Sequence, residues 1–202
     1  MSQSLPRTLL LLVSGPAGSG KTTLCERLIA TFPDQLRRVI TCTTRPPRGT
    51  EKDGVDYRFL SKAAFEEKIS AGEFIESAVV HQNLYGTRKE DILPLREGRV
   101  DLLLNLDVQG AESVREEARH NPVLRRSLVT VFVTPPSFEE LHRRLTSRGT
   151  DTPDEIRRRL AAAETEMSHW HRYDYCFTSG DHEGDFKRIH AIYLAEKMRV
   201  CL

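Results

Sequence analysis

A glycine-rich segment near the start of the chain has the clearest chemical signature in the sequence. Gly15, Gly20, Lys21 and Thr22 fill every fixed position of the phosphate-binding pattern G-x-x-x-x-G-K-[ST]. In such a loop, backbone N–H groups bind phosphate oxygens, the lysine reaches the β- and γ-phosphates, and the hydroxyl is offered to Mg²⁺. The alternative is a glycine-rich turn that only joins a strand to a helix. We predict a nucleoside triphosphate site formed by Gly15, Pro16, Ala17, Gly18, Ser19, Gly20, Lys21, Thr22 and Thr23.

Two arginines on a stiff turn indicate a second phosphate site. Arg45 and Arg48 flank two prolines, so their guanidinium groups leave a rigid backbone three residues apart. Paired guanidinium groups suit a phosphate monoester, because each can make a bidentate contact with its oxygens. Tyr57 and Tyr85 could add neutral donors to the same oxygens. The alternative is that both arginines are ordinary surface residues.

Length, net charge and cysteine spacing limit the classes of protein to which this chain can belong. The chain has 202 residues and a formal net charge of +1, so one domain with a substantial core is expected. The near balance of acids and bases gives no support to a nucleic-acid or anionic-membrane partner. The four cysteines have no C-x-x-C spacing, and no targeting or membrane-spanning segment is visible. We therefore expect a cytoplasmic protein with reduced cysteines and no zinc site.

The elements that must position these residues have the pattern of an α/β fold. Nearly continuous apolar runs predict five strands, at residues 9–13, 39–43, 100–106, 128–133 and 175–177. Helical patterns separate the runs, which is typical of a parallel sheet covered by helices on both faces. A closing amphipathic helix is predicted over residues 185–198, with an apolar side formed by Phe186, Ile189, Ile192 and Tyr193.

The region 44–87 interrupts this alternation of strands and helices. Short strands are predicted at residues 57–60, 74–76 and 78–80, with a helix at 63–71 between the first two. The region is therefore predicted to be a small α+β insertion. Insertions at the carboxyl ends of parallel strands usually determine which ligand is bound.

Three helix starts are marked by local side chains. Thr87, Ser137 and Thr152 each stand three residues before a glutamate, and this spacing predicts a capping box. Farther along, Trp170 is interpreted as a core residue rather than as a platform for a stacked base.

Six motifs beyond the phosphate loop resemble those of the guanylate kinases, in order and with compatible spacing. They are Thr41-Cys42-Thr43-Thr44-Arg45-Pro46-Pro47-Arg48-Gly49, Asp56-Tyr57-x-Phe59, Phe74-Ile75-Glu76, Leu84-Tyr85-Gly86-Thr87, Asp107-Val108-Gln109-Gly110 and Arg144-Leu145-x-x-Arg148-Gly149. The resemblance extends from the phosphate loop to at least Tyr175.

The resemblance implies a P-loop nucleoside monophosphate kinase fold and an enzyme that transfers the γ-phosphoryl group of ATP to GMP, with Mg²⁺ as cofactor. It implies a single domain over residues 1–202, with the core at 1–40, 90–135 and 168–202, the GMP-binding region at 41–89 and the lid at 136–167. ATP and GMP are the implied partners, with no nucleic acid and no membrane, and a monomer and a homodimer both remain open.

The same resemblance implies roles for individual residues. The GMP phosphate would be held by Arg45, Arg48, Tyr57 and Tyr85, and the guanine would be recognised by Thr41, Glu76, Thr87 and Asp107. Charge on the transferred phosphoryl group would be stabilised by Lys21 and by the lid residues Arg144, Arg148 and Arg159. Thr22 would bind the Mg²⁺ ion, together with phosphates and waters.

The chemistry of guanine suits a carboxylate at position 76. Guanine presents N1–H and an exocyclic amine side by side, and one carboxylate can accept both hydrogen bonds. Adenine has an acceptor at N1, so an ionised Glu76 would face an acceptor, and an unpaired buried group costs about 1–3 kcal/mol or more. The alternatives are that Glu76 is a solvated strand carboxylate and that Asp107 caps the helix beginning at Val108.

One residue departs from the family pattern. Guanylate kinases commonly have Asp-x-Asp at the end of the third core strand, whereas this chain has Asn105 and then Asp107. A carboxylate at position 105 would orient Mg²⁺ or its waters through charge-assisted hydrogen bonds, which are about twice as strong as neutral ones. We therefore expect the departure to weaken the affinity for Mg²⁺ and to leave the class of reaction unchanged.

Three other functions are weighed against this one. A kinase for another phosphorylated small molecule would give Glu76 and Asp107 nothing to recognise. A non-catalytic interaction module of the guanylate kinase type tends to lose the glycine loop and its lysine, whereas Lys21 is present here. A GTPase switch would need an N-K-x-D-like motif, and the sequence has none.

Overall fold

The computed structural model describes residues 7–80, 82–98, 100–147 and 152–200. Its strands are β1 (Leu10–Ser14), β2 (Leu36–Arg38), β3 (Cys42–Thr43), β4 (Arg58–Phe59), β5 (Phe74–Val80), β6 (Asn83–Arg88), β7 (Asp101–Asn105), β8 (Leu128–Thr134) and β9 (Tyr175–Thr178). Its α-helices are α1 (Lys21–Thr31), α2 (Lys62–Ser70), α3 (Pro94–Glu97), α4 (Val108–His120), α5 (Pro122–Ser127), α6 (Phe138–Ser147), α7 (Pro153–Met167) and α8 (His182–Met198). Across this described part of the chain, no helix is long and apolar enough to cross a membrane.

The central sheet has five parallel strands in the order β2-β7-β1-β8-β9. In the middle strand, Leu10 pairs with Leu102 on one side and with Leu128 on the other. Every residue of β1 is buried, as expected for a strand with neighbours on both sides and helices on both faces. The predicted α/β class and parallel five-stranded sheet are confirmed.

Two apolar layers hold the helices against the sheet. One face packs against α1 and α8 through a cluster that includes Leu11, Val13, Leu28, Ile189 and Tyr193. The other face packs against α4 and α5 through a cluster that includes Leu10, Leu12, Leu104, Val114 and Leu124. Successive residues of β1 contribute to opposite layers, because side chains alternate across a strand. The closing helix therefore buries the face that the sequence predicted.

The prediction of a core strand at residues 39–43 is wrong. The edge strand is β2, and only Val39 continues its pairing, by donating a backbone hydrogen bond of 2.9 Å to the carbonyl oxygen of Leu103. The chain then leaves the central sheet, and β3 enters a second one. An edge strand has a solvent-facing side, so Arg37 and Arg38 are tolerated there and mask the apolar pattern.

A second sheet of four strands, in the order β4-β3-β6-β5, forms the insertion. The two short strands predicted at 74–76 and 78–80 are one strand, β5, with an irregularity between Phe74 and Glu76. Its partner β6 was not predicted, because Gly86 interrupts the pattern of a strand. A Cβ at Gly86 would come within 2.9 Å of the Phe74 ring and 3.0 Å of the Phe65 ring, so close packing requires glycine at this position.

The predicted helix starts have mixed outcomes. Thr152 forms the full capping box with Glu155, and the Ser137 Oγ accepts from the Glu140 N–H at the start of α6. The capping box predicted at Thr87 is wrong, because Thr87 lies in β6, with a short 3₁₀ helix, Lys89–Ile92, after the strand. The prediction that Trp170 is a core residue is also wrong, since it is 54% exposed in the 3₁₀ helix Trp170–Arg172.

A buried carboxylate ties the last helix to the central sheet. Asp101, at the start of β7, is 2% exposed and accepts hydrogen bonds from the Tyr193 hydroxyl at 2.6 Å and the Leu9 backbone N–H at 2.9 Å. The Lys197 ammonium lies 2.9 Å from its second oxygen. Burial and the Asp101 hydrogen bond both raise the pKa of Tyr193, so the phenol stays protonated and continues to donate.

We expect Asp101→Ala to lower the free energy of unfolding by about 3–4 kcal/mol, because removing one partner of a buried charged network leaves the others unpaired. Tyr193→Phe, which removes only the neutral donor, should cost about 1 kcal/mol. Urea unfolding monitored by circular dichroism would measure both values. An Asp101→Ala loss no larger than that of Tyr193→Phe would show that the carboxylate does not hold the helix in place.

Candidate active site

The phosphate loop joins the carboxyl end of β1 to α1. Gly15, Gly18 and Gly20 have φ angles of 137°, 94° and 93°, in the region that side chains rarely adopt. A Cβ on Gly15 would stand 2.2 Å from the carbonyl oxygen of Val133, so the neighbouring strand also requires glycine there. The Ser19 N–H donates to the Pro16 carbonyl oxygen at 3.2 Å and closes the loop. The loop conformation is thus fixed by its glycines and by this backbone hydrogen bond.

The lysine of the motif lies at the mouth of this loop. The Lys21 ammonium donates to the carbonyl oxygens of Gly15 at 2.7 Å and Pro16 at 2.8 Å. Thr22 and Thr23 follow in the exposed first turn of α1. Ala17, on the other side of the loop, packs against the cluster of Leu141 and Leu145 in α6. The predicted triphosphate residues are therefore contiguous in space as well as in sequence.

The carboxyl end of β7 lies beside the phosphate loop because β7 pairs with β1. The Asn105 amide donates to the Thr22 hydroxyl over a long distance of 3.4 Å. Asp107 occupies the N-cap of α4, where its Oδ1 accepts from the Gly110 N–H at 2.8 Å. The capping alternative for Asp107 is therefore correct, and the carboxylate also lies close enough to Glu76 to influence its charge.

The residues predicted to bind the GMP phosphate cluster at the second sheet. The Arg45 guanidinium is almost buried, and its Nε donates to the Tyr85 hydroxyl at 3.3 Å. Its centre lies 5.4 Å from the centroid of the Tyr57 ring, and the rings of Tyr57 and Tyr85 are 6.1 Å apart. Arg48 is exposed at the rim. The structure therefore brings the predicted phosphate residues together, with Arg45 inside and Arg48 outside.

Glu51 belongs to this cluster, although the sequence did not single it out. Its carboxylate makes a bidentate pair with Arg45, both N–O distances being 3.0 Å, and accepts from the Arg48 backbone N–H at 2.8 Å. Burial disfavours the charged form of Glu51, but these hydrogen bonds outweigh it and lower the pKa of the carboxyl. In the sequence, the one indication of a role for Glu51 is that it follows Arg48 by three residues. This spacing alone does not distinguish Glu51 from an acidic residue on the surface.

The carboxylate of Glu76 lies at the junction of the two sheets and the start of α4. It is 4% exposed, and its Oε1 accepts from the Thr87 hydroxyl at 2.7 Å. Its Oε2 is buried and has no hydrogen-bond partner among the residues that the structure describes, and it lies 3.5 Å from the point where a Cβ at Gly110 would stand. Thr41 and Thr87 are buried nearby on the second sheet. The alternative of a solvated strand carboxylate is therefore wrong.

The environment of Glu76 disfavours the ionised form of its carboxyl group. Burial is the main cause that raises the pKa of this carboxyl to about 7, and the neighbouring Asp107 carboxylate raises it further. The hydrogen bonds from Thr87 act in the opposite direction. A buried acceptor without a donor is costly, so this oxygen is suited to a ligand that brings an N–H group.

A cavity of about 640 Å³ opens beside the phosphate loop. Its lining includes Gly18 and Gly20 of the loop, Arg144 of α6 and the segment after β9 that contains Ser179 and Gly180. Arg144 donates to the Ser179 hydroxyl and to Glu140, both at 2.7 Å. The sequence missed the segment after β9, because its small polar residues match no motif.

Two further lid arginines, Arg148 and Arg159, were predicted to stabilise charge on the transferred phosphoryl group. Arg159 is half-buried on α7, which packs against α6 through Ala163, Leu141 and Leu145. Arg148 lies outside the described residues. In the parts of the chain that the structure describes, no group of three or more histidine, cysteine or acidic side chains could hold a metal ion.

Comparisons with known proteins agree with this geometry. A family model described as guanylate kinase matches residues 7–196. A guanylate kinase of Myxococcus xanthus is 41% identical over 196 residues, which cover 96% of this chain and 90% of that protein. One from Rickettsia felis is 38% identical over 189 residues, with 94% of each chain covered. A crystal structure of guanylate kinase from Anaplasma phagocytophilum superimposes with a TM-score of 0.76 at 32% identity, covering 98% of this chain and 92% of that one.

Proposed function

The chain belongs to the guanylate kinase family and is an ATP:GMP phosphotransferase, and we propose that its two sheets divide the two substrates between them. ATP binds at the phosphate loop on the central sheet, and GMP binds on the second sheet. The observation that supports this division best is Glu76, whose Oε2 is buried and has no hydrogen-bond partner among the described residues, while Thr87 donates to its Oε1.

The GMP phosphate is held by Arg45, Arg48, Tyr57 and Tyr85. Glu51 accepts hydrogen bonds from Nη1 and Nη2 of Arg45. This pairing fixes the plane of the guanidinium group and therefore the direction in which its Nε–Nη2 edge points. Since Tyr85 accepts from Arg45 Nε, its own O–H proton remains available to donate to a phosphate oxygen. The guanine is recognised by Thr41, Glu76, Thr87 and Asp107, with Glu76 accepting from N1–H and the exocyclic amine.

The triphosphate of ATP is bound by residues 15–23, and its base extends into the neighbouring cavity. The nucleophile is an oxygen of the GMP phosphate, which is already anionic and needs no general base. Catalysis then consists of alignment and charge neutralisation. Lys21 and the arginines at 144, 148 and 159 stabilise the charge that spreads over the transferred group, and a closing lid excludes water.

Residues at the start of α1 and at the carboxyl end of β7 fit a hard cation. The Thr22 hydroxyl, the Asn105 carbonyl and the Asp107 carboxylate are oxygen donors, which Mg²⁺ prefers. Thr22 would contact the ion directly, and Asn105 would accept from its waters. When bound, Mg²⁺ supplies neutralisation of the β- and γ-phosphate charge.

We expect Asn105→Asp to lower the Mg²⁺ concentration needed for half-maximal activity by about threefold to tenfold, because a carboxylate makes charge-assisted hydrogen bonds that are about twice as strong as neutral ones. The Asn105 amide donates to Thr22 in the present chain, whereas an aspartate would accept from it and leave the hydroxyl oxygen to the metal. A Mg²⁺ titration at fixed ATP, with Mn²⁺ binding to the nucleotide complex as a second readout, measures the change. Identical titrations for the two proteins would contradict the role of position 105.

The function is tested by ADP release at about pH 8 with Mg²⁺·ATP and GMP, AMP, CMP, UMP or no acceptor. Turnover with GMP alone is the expected result. Equal turnover with all acceptors would contradict base recognition by Glu76, and no turnover with any of them would contradict the proposed enzyme. We further propose that the whole chain works as a single domain with the core, GMP-binding and lid regions predicted above. We place it in the cytoplasm and expect it to act on free nucleotides.

A further inference from the structure

We propose that Arg38 is a further positioning residue for phosphoryl transfer: its guanidinium links the central sheet to the segment that carries Tyr57 and so holds the GMP phosphate site in place relative to the phosphate loop. The inference rests on the division of the two substrates between the two sheets proposed above. Transfer requires the two phosphate groups to be aligned, so a link between the sheets on the phosphate side acts on the reaction itself.

Arg38 ends the edge strand β2 on the side of the central sheet where ligands bind. It pairs with Leu103 of β7, two residues before Asn105, so it lies at the carboxyl edge of the parallel strands. Side chains alternate along a strand, and Leu36 on the same face is buried in the apolar layer that includes Cys25 of α1. Burial raises the pKa of the Cys25 thiol to about 12, and the positive charge of Arg38 acts against this increase. The Arg38 guanidinium therefore lies near the helix that begins at the phosphate loop.

Arg38 reaches the insertion through a hydrogen bond to its backbone. The side chain is half-buried, and its Nη2 donates to the carbonyl oxygen of Asp56 at 3.1 Å. Asp56 belongs to a closed turn, in which its carboxylate accepts from the Lys52 N–H at 2.8 Å and its own N–H donates to the Lys52 carbonyl oxygen at 3.0 Å. The Gly54 N–H donates to the Tyr57 carbonyl oxygen at 2.8 Å. Because these hydrogen bonds stiffen the turn, holding Asp56 also holds Tyr57, the next residue.

The Tyr57 side chain stands between two guanidinium groups, one from each sheet. The centre of the Arg45 guanidinium, from the second sheet, lies 5.4 Å from the centroid of the Tyr57 ring. Burial is the main cause that raises the pKa of the Tyr57 phenol, whereas the charges of Arg38 and Arg45 act to lower it. The phenol therefore stays protonated and keeps its O–H donor for a phosphate oxygen. Arg38 fixes the position from which this donor acts.

Arg38→Met removes the link and keeps an unbranched apolar stem. We expect kcat/KM for GMP to fall by about tenfold, because a hydrogen bond from a charged donor has a net effect of about this size. The KM for ATP should change by less than about twofold, since the phosphate loop is closed by its own backbone hydrogen bond. A kcat/KM for GMP within about twofold of the wild-type value would overturn the proposal.

Two variants of the same strand sharpen the experiment. Arg37→Met makes the same substitution one residue earlier, on the exposed opposite face of β2, and should keep the wild-type kinetics. Arg38→Lys keeps a charged donor on a long stem and should restore most of the lost kcat/KM for GMP. A lysine variant as impaired as the methionine variant would overturn the proposal, because a charged donor at this position would then not be what the reaction needs.

A double-mutant cycle tests whether Arg38 acts through Tyr57. Tyr57→Phe removes the hydroxyl that Arg38 is proposed to position. In that background we expect Arg38→Met to lower kcat/KM for GMP by less than about threefold, because the two substitutions remove parts of one contact. A loss of about tenfold in both backgrounds would show that the two residues act independently and would overturn the proposal.

Calorimetric titration with GMP separates positioning from a general loss of structure. Positioning predicts that the Arg38→Met protein binds GMP with a Kd roughly threefold to tenfold higher and with the same number of sites per chain. A merely structural role would lower the fraction of protein that binds and leave the Kd of the remainder unchanged. That result would overturn the inference while the GMP kinase assignment stands. Absence of GMP turnover by the wild-type protein would instead overturn the proposed function, and this inference with it.

Discussion

Replacing Lys21 with methionine is expected to lower kcat by about 10³-fold, while the Kd for GMP changes by less than about threefold. The ammonium lies at the mouth of the phosphate loop, where the β- and γ-phosphates are bound in the proposed complex. Its charge is needed most when negative charge spreads over the transferred group, so its loss acts on the transition state. In the proposed complex the GMP site lies on the second sheet and does not include this side chain.

Steady-state kinetics and calorimetric titration with GMP would measure the two quantities separately. Lys62→Met makes the same substitution at an exposed position on α2 and should leave both unchanged. Urea unfolding would show that the Lys21→Met protein is folded. A large loss of GMP affinity with normal kcat would place Lys21 in the GMP site and contradict the division of the substrates between the sheets.

Replacing Arg45 with methionine is expected to raise the KM for GMP by about 10- to 10²-fold and the KM for ATP by less than about threefold. A hydrogen bond to a charged group contributes about 1.5–3 kcal/mol, and the one Nη2–H that Glu51 leaves open can make one such bond to a phosphate. Arg45 is 7% exposed and in contact with Tyr85, so a phosphate beside it would be partly shielded from water.

The substitution also leaves Glu51 without its main partner, and this effect must be separated from the loss of phosphate contacts. The double variant Arg45→Met with Glu51→Gln removes the orphaned charge and should still show the raised KM for GMP. Arg37→Met, on the exposed side of the edge strand, is the matched control. Recovery of a normal KM in the double variant would mean that Arg45 serves only to neutralise Glu51.

The sequence by itself determined the features that depend on neighbouring residues. The phosphate loop is one continuous segment, and its glycines, lysine and threonine act through local backbone geometry. The three buried strands β1, β7 and β8 were predicted because a strand covered on both faces has a continuous apolar run, and the edge strand β9 was predicted from its short apolar run. The capping box at Thr152 was predicted because both partners lie within one turn.

The edge strand β2 and the hairpin partner β6 were decided by the tertiary structure. β2 pairs with one strand only and exposes Arg37 to solvent, whereas β6 pairs with both β3 and β5 but contains Gly86, so no simple period marks either strand. The capping box predicted at Thr87 failed for a similar reason. Its local signal is overridden because Thr87 pairs with Glu76 in β5. Pairing within a sheet supplies more hydrogen bonds to this segment than one helix cap would.

The electrostatics of the site also came only from the tertiary structure. Glu51 pairs with Arg45, Ser179 accepts from Arg144 across the nucleotide cavity, and Glu76 is buried beside Asp107. In the sequence these are unremarkable polar residues, some of them far apart. Their roles depend on distance, burial and the loss of water around a charge. Those quantities exist only once the two sheets and the lid helices are packed against one another.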